Sequence, residues 1–106
     1  MENKNLYGLN ATLIAKDGKS NELSQILLEA SKLMQEAEGC HLYAIGKSKT
    51  NANEILITEI WDSKEAHDNS LKIPGVRELI GQAIPILDRN PEKGQEVDIL
   101  GGLGIH

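Results

Sequence analysis

The chain has 106 residues, 40% of them hydrophobic and 25% charged, with a net charge of −5. That length suits one compact domain and not two, and a domain of this size buries only a modest share of its surface alone, so pairing with a second copy would help it. An acidic chain with 3% aromatic residues and no Phe excludes the basic stripe and the base-stacking platform of a nucleic-acid binder.

Other classes fall away on similar grounds. No run of 18 apolar residues exists, so no membrane span is expected. The polar start Met1-Glu2-Asn3-Lys4-Asn5 has no apolar signal core behind it, which predicts a cytoplasmic protein. Lys16 and Lys19 flank one turn and Lys47 and Lys49 another, the pattern of solvated loops. Cys40 is the one cysteine, so no internal disulfide forms. It reads as a core or strand-end residue rather than a nucleophile, because His41, its one neighbour able to carry positive charge, would point to the opposite face of a strand.

Leu6 to Lys16 alternates with β-favouring residues and predicts a first strand. One face holds Leu9, Ala11, Leu13 and Ala15; the other holds Gly8, Asn10, Thr12 and Ile14. Asp17-Gly18 closes it as a turn. Ser20 or Asn21 is a suitable cap for a helix, whose apolar stripe is Leu23, Ile26, Leu27, Ala30, Leu33, Met34 and Ala37. Gly39 ends it. A second strand is expected from about Cys40 to Gly46, a polar hairpin loop over Lys47 to Asn53, and a third strand from Glu54 to Trp61. Asp62, with Glu65 three positions on, reads as the cap of a short helix running to about Leu71. Pro74 interrupts it, since Ile73 before a proline is biased out of helix. A second helical stretch carries Val76, Leu79, Ile80, Ala83 and Leu87, and Pro85 kinks or ends it. Asn90-Pro91 to Gly94 is a turn, Gln95 to Leu100 a last strand, and Gly101-Gly102-Leu103-Gly104 a flexible tail.

The order strand, helix, strand, strand, helix, strand is the split ferredoxin-like pattern of an α+β protein. It predicts a four-stranded antiparallel sheet with the helices on one face. The third strand alternates between Ile55, Ile57, Glu59, Trp61 and Leu56, Thr58, Ile60. Neither face is polar throughout, so both are expected to be covered. Helices cover one; a second subunit is the economical cover for the other.

From the third strand onward the residues become specific. Thr58-Glu59-Ile60-Trp61-Asp62-Ser63-Lys64-Glu65-Ala66-His67-Asp68, followed by Ser70-Leu71-Lys72-Ile73-Pro74-Gly75-Val76-Arg77 and Ile84-Pro85-Ile86-Leu87, resembles the antibiotic biosynthesis monooxygenase family. The tail Gly101-Gly102-Leu103-Gly104 is similar to a subgroup named for quinol monooxygenases. The resemblance spans roughly Tyr7 to Leu103. It implies a dimeric α+β barrel, two sheets face to face with helices outside. It also implies oxygenation of phenolic or polycyclic aromatics without metal or flavin, while relatives on the same fold degrade haem or process small signalling molecules.

Five side chains are candidates for a site. Trp61 is either a core aromatic anchoring the second helix or a pocket wall offering its indole N–H; the resemblance implies a place at the pocket. Asn10 lies mid-strand among apolar residues, where Asn is disfavoured. It is either an edge residue with its amide in solvent or, by its likeness to an asparagine of the haem-degrading relatives, a donor to a substrate oxygen. Those relatives also bind iron through a histidine on the second helix; Gly75, Val76 and Arg77 after Pro74 supply none, which counts against haem. His67 is either a surface residue or a general base, since histidines titrate near neutrality. Glu59, if buried, is held above the usual carboxylate range and suited to act as a base; at a subunit boundary it would pair with Lys or Arg, the more frequent outcome. Tyr43 is a further pocket hydroxyl, or a core ring. His41 reads as a strand-face or interface residue and His106 as part of the tail, and the three histidines make no metal spacing.

The leading expectation is a cofactor-independent monooxygenase acting on a hydroquinone-like or polyphenolic molecule, with Asn10, Trp61 and His67 catalytic, Tyr43 and Glu59 binding substrate, and no metal or flavin. The alternatives are a non-catalytic dimer holding a small hydrophobic ligand, and an enzyme that degrades or isomerises a small signalling molecule.

Overall fold

The computed structural model describes residues 5–91 and 94–105, so His106 and part of the turn expected before the last strand lie outside the described residues. Four strands form one sheet in the order β2-β3-β1-β4. They are β1 (Leu6–Ile14), β2 (Cys40–Lys47), β3 (Glu54–Trp61) and β4 (Gln95–Ile99). Every pairing is antiparallel. The helices are α1 (Ser20–Leu33), α2 (Lys64–Ser70) and α3 (Val76–Ala83), with single 3₁₀ turns after α1 and α3. This is the expected α+β ferredoxin-like arrangement, its second helix broken at Pro74.

Local chemistry sets the breaks. Ser63 caps α2 by accepting the Ala66 N–H at 3.1 Å, one residue later than the Asp62 cap the sequence suggests. Gly75 takes φ 98° to start α3, a left-handed conformation that glycine adopts at no steric cost. Ser20 lies inside α1 rather than capping it, and the preceding Lys19 offers no side-chain acceptor.

Leu23, Ile26, Leu27 and Ala30 of α1 pack with Leu79 and Ala83 of α3 against Ile55 and Ile57 of β3. Ala11 and Leu13 of β1 and Tyr43 and Ile45 of β2 complete this face. A second cluster gathers Trp61, Met34 and Val76 at the end of the sheet beside α2. The opposite face carries no helix. Leu42 and Leu56 are exposed there, 40% each. Gly8 also belongs to that face: a Cβ on it would meet the side chains of Val97 and Ile99 at 2.7 Å, so only glycine lets the β4 side chains close over β1.

Candidate functional site

β3 is the spine of the site. Its side chains alternate, so Ile55, Ile57, Glu59 and Trp61 all point at the helices. The first two are greasy contacts for α1 and α3. Glu59, two residues further on, places a carboxylate on the same buried face, with 7% of its surface exposed. A buried carboxylate needs partners, and it has two. The Trp61 Nε1–H donates to Oε1 at 3.0 Å, and His67 Nε2, from α2, lies 3.7 Å from the same oxygen. Burial pushes the Glu59 carboxyl above its usual range, against the smaller opposing pulls of the Trp61 bond and of His67. The partners are therefore an indole and an imidazole, and not the Lys or Arg that the sequence reading favoured. The reason is position: Glu59 faces the helices, where Trp61 and His67 lie within reach.

His67 sits on the inner side of α2. Its ring meets Trp61 edge-on at a centroid distance of 5.8 Å and Tyr7 at 5.9 Å. Nδ1 lies 2.9 Å from Asp68 Oδ1. That bond holds the Asp68 carboxyl below its usual range, so Asp68 accepts and Nδ1 carries the hydrogen. Nε2 is the ring nitrogen left facing Glu59.

Tyr43 is the cross-strand partner of Glu59, and burial pushes its phenol upward, so it remains a protonated donor. Tyr7 donates to Glu96 Oε2 at 2.8 Å, and Lys64 Nζ lies 3.4 Å from the same oxygen. Burial and the Glu96 bond lift the Tyr7 phenol to about 12.

Tyr43, Glu59 and His67 line one pocket of about 200 Å³ between the sheet and the helices. Most of the rest of its wall is aliphatic: Leu13, Ile26, Leu27, Met34, Ile57 and Leu79 among others. Two expected members are placed differently. Asn10 pairs with Thr58 and Gln95 in the sheet, while its neighbour Ala11 pairs with Ile57. A period of two puts Asn10 on the helix-free face, exposed, beside Thr12 and Leu56. It does not point to the side of Trp61. Trp61 is fully buried and packs among Met34, Val76, Tyr7 and Ala66. It is core rather than pocket wall, and its N–H serves Glu59, not a ligand. Asp68 and Tyr7, which hold His67 from outside, went unread in the sequence; the signal for Asp68 was its adjacency to His67, and for Tyr7 its place on the same strand face as Leu9.

His41 stands at the β-bulge between Cys40 and Leu42 and lies 2.6 Å from Asp62 Oδ1. Cys40 is half-buried and its thiol is pushed up by burial, an inert packing role. Among the described residues no three His, Cys, Asp or Glu side chains gather to hold a metal, and no helix is long and apolar enough to cross a membrane.

The sequence profile of the antibiotic biosynthesis monooxygenase family matches residues 6–82. The chain belongs to that family. A crystal structure of a protein from Chloroflexus aurantiacus J-10-fl, named for the same family, is 32% identical and superposes with a TM-score of 0.84 over 95% of this chain and 99% of its own. Proteins so named from Caulobacter crescentus CB15 (19% identity, TM-score 0.83, 92% of each chain) and Nitrosomonas europaea (9%, 0.86, 94% of this chain and 95% of the other) share the fold. Among curated proteins, none matches this chain. The pocket gathers a carboxylate, a histidine and a tyrosine in a mostly aliphatic wall.

Proposed function

We propose that the protein is a cytoplasmic, single-domain homodimer that oxygenates a phenol or hydroquinone with dioxygen, using His67 as the base and no metal or flavin. The observation that carries this reading is the His67 Nε2 standing 3.7 Å from Glu59 Oε1 in an apolar pocket. Cavities of about 150 Å³ hold a benzene ring; a pocket of about 200 Å³ therefore suits one ring with small substituents better than a polycycle.

The steps ask little of the protein. The phenolic O–H gives its proton to His67 Nε2, and Asp68 at Nδ1 supports the resulting imidazolium. The phenolate passes one electron to dioxygen, giving a phenoxyl radical and superoxide. These combine at a ring carbon to form a peroxide. His67 returns the proton to the outer peroxide oxygen; as the O–O bond breaks, the ring C–H bond gives its electron pair to the new C=O and its proton to the departing hydroxide, which leaves as water. Phenol and dioxygen thus become a quinone and water. Dry aliphatic walls protect the radical pair, and the Tyr43 hydroxyl and Glu59 hold the developing oxyanion and the transferred proton in place.

The test is oxygen uptake with a panel of single-ring hydroquinones and phenols, on protein treated with a chelator and dialysed. Uptake should match product quinone one to one. A preparation carrying stoichiometric metal or flavin, and losing activity when stripped, would overturn the cofactor-free mechanism; no uptake with any member would overturn the oxygenase reading.

The dimer is supported by the helix-free sheet face with its exposed Leu42 and Leu56. Two such faces packed together should bury roughly 2,000 Å² or more in total, as apolar obligate interfaces do. Light scattering should return twice the chain mass at low micromolar concentration; a monomer mass there contradicts it.

A further inference from the structure

The mouth of the pocket is built unlike the rest of the helical surface. Leu71 follows α2, Ile80 lies on α3 and Ile84 opens the 3₁₀ turn after it, and all three line the pocket. They are nevertheless 44%, 45% and 47% exposed. Elsewhere the outward residues of α3 are what solvent favours: Arg77, Glu78 and Gln82 are exposed. Three large aliphatic side chains from separate turns, each lining the pocket and each standing half in water, form an apolar collar of the kind that marks ligand contact. Farther in, the pocket carries its polar groups, Tyr43, Glu59 and His67. The volume of about 200 Å³ is filled by a substituted ring, so whatever else the substrate carries leaves through the collar.

We propose that the substrate is an amphiphile: a phenol or hydroquinone ring bearing a linear apolar chain, the ring lying against His67 and Glu59 and the chain running out over Leu71, Ile80 and Ile84. The identity of the ring rests on the oxygenase reading; the chain rests on the collar alone. A polar or charged substituent, such as a sugar or a carboxylate, would strip its own water against three aliphatic side chains and gain no partner. An alkyl or isoprenoid chain gains at every methylene it covers.

The probe is a series of 4-alkylphenols from ethyl to octyl, titrated by calorimetry into the dimeric protein below their aggregation concentrations. Full burial is worth about 0.8 kcal/mol per methylene, which is about fourfold in Kd; half-burial on an open collar gives about twofold. The Kd should therefore fall two- to fourfold per carbon until the chain outruns the collar. In the doubly substituted Ile80→Gln, Ile84→Gln protein the slope of log Kd against chain length should drop by at least half. Both side chains are half-exposed, and far-UV circular dichroism checks that the fold is kept. A Kd independent of chain length overturns the proposal, and so does a slope that the double substitution leaves intact. Oxygen uptake with the same compounds separates the two readings: oxidation without chain dependence in binding removes only the chain, whereas chain-dependent binding without oxidation supports the chain and removes the oxygenase.

Discussion

Replacing His67 by alanine is expected to lower the oxidation rate by about 10²- to 10⁴-fold at neutral pH, the usual worth of a positioned general base. The substitution removes the ring nitrogen that stands 3.7 Å from Glu59 Oε1 while leaving Glu59 its bond from Trp61. His67 has only 17% of its side chain exposed and packs against Trp61 and Tyr7, so denaturant titration of the variant checks that lost activity is not lost fold. The pH profile distinguishes a base from a structural residue. A phenol ionises unaided near pH 10, so the deficit should shrink as pH climbs toward that value. Glu59 gives a second handle. Its carboxyl is held above the usual range by burial, so at moderately acidic pH it still carries a proton that an exposed glutamate would have lost. Glu59→Gln mimics that protonated form. It should therefore depress the rate most at high pH, where the wild-type carboxylate is ionised, and least at low pH, where the two side chains are alike in charge. A His67→Ala protein with an unchanged rate at every pH would show that His67 serves packing alone and that the proton goes elsewhere.

The fold was legible in the sequence because each element carries its own period. The α1 stripe from Leu23 to Ala30 and the alternation of β3 needed no tertiary knowledge, and both are buried as their spacing requires. The two faces of β1 were also legible: Leu9, Ala11 and Leu13 on one side, Asn10 and Thr12 on the other. What the sequence withheld was how those faces meet their neighbours. The register pairs Ala11 with Ile57 and Asn10 with Thr58, and that single offset sends Asn10 away from the helices. Likeness to relatives suggested it as a donor to a substrate oxygen, but parity puts it on the helix-free face, since one residue of slip exchanges the two faces of a strand. Glu59 failed for a related reason. Its face was readable, but its partner comes from α2, whose docking angle is set by the packing of Ala66, Ile73 and Val76 around Trp61, and no local pattern encodes that. Pocket depth is the least legible quantity. His67 from α2 and Tyr43 from β2 line the pocket while Trp61 of β3 is packed in the core beside it, and no local pattern separates the two outcomes.

Trp61→Ala is expected to cost about 3–5 kcal/mol of stability, the range for deleting a fully buried large aromatic. That is a large share of what a domain of this size possesses, so activity lost in this variant says nothing about chemistry. The indole has 0% of its surface exposed and belongs to a cluster that joins the two layers, with Tyr7 and Cys40 from the sheet and Met34, Ala66 and Val76 from the helical side. Trp61→Phe separates packing from hydrogen bonding. It keeps most of the ring volume but removes the N–H that Glu59 Oε1 accepts at 3.0 Å. That bond favours the ionised carboxylate and partly offsets the effect of burial, so without it the folded-state pKa of Glu59 rises further. In the unfolded chain Glu59 ionises as an ordinary glutamate. A carboxyl whose pKa is raised on folding contributes stability that is fully present below the unfolded value and is lost as pH rises through the folded one. The deficit of Trp61→Phe relative to wild type should therefore be smallest near pH 4, where Glu59 is largely protonated in the folded state of both proteins, and should grow toward neutral and alkaline pH. Denaturant titrations at several pH values measure it directly. A deficit that stays flat from acid to alkaline pH would mean that Trp61 acts by volume alone, and that Glu59 keeps its proton balance without the indole.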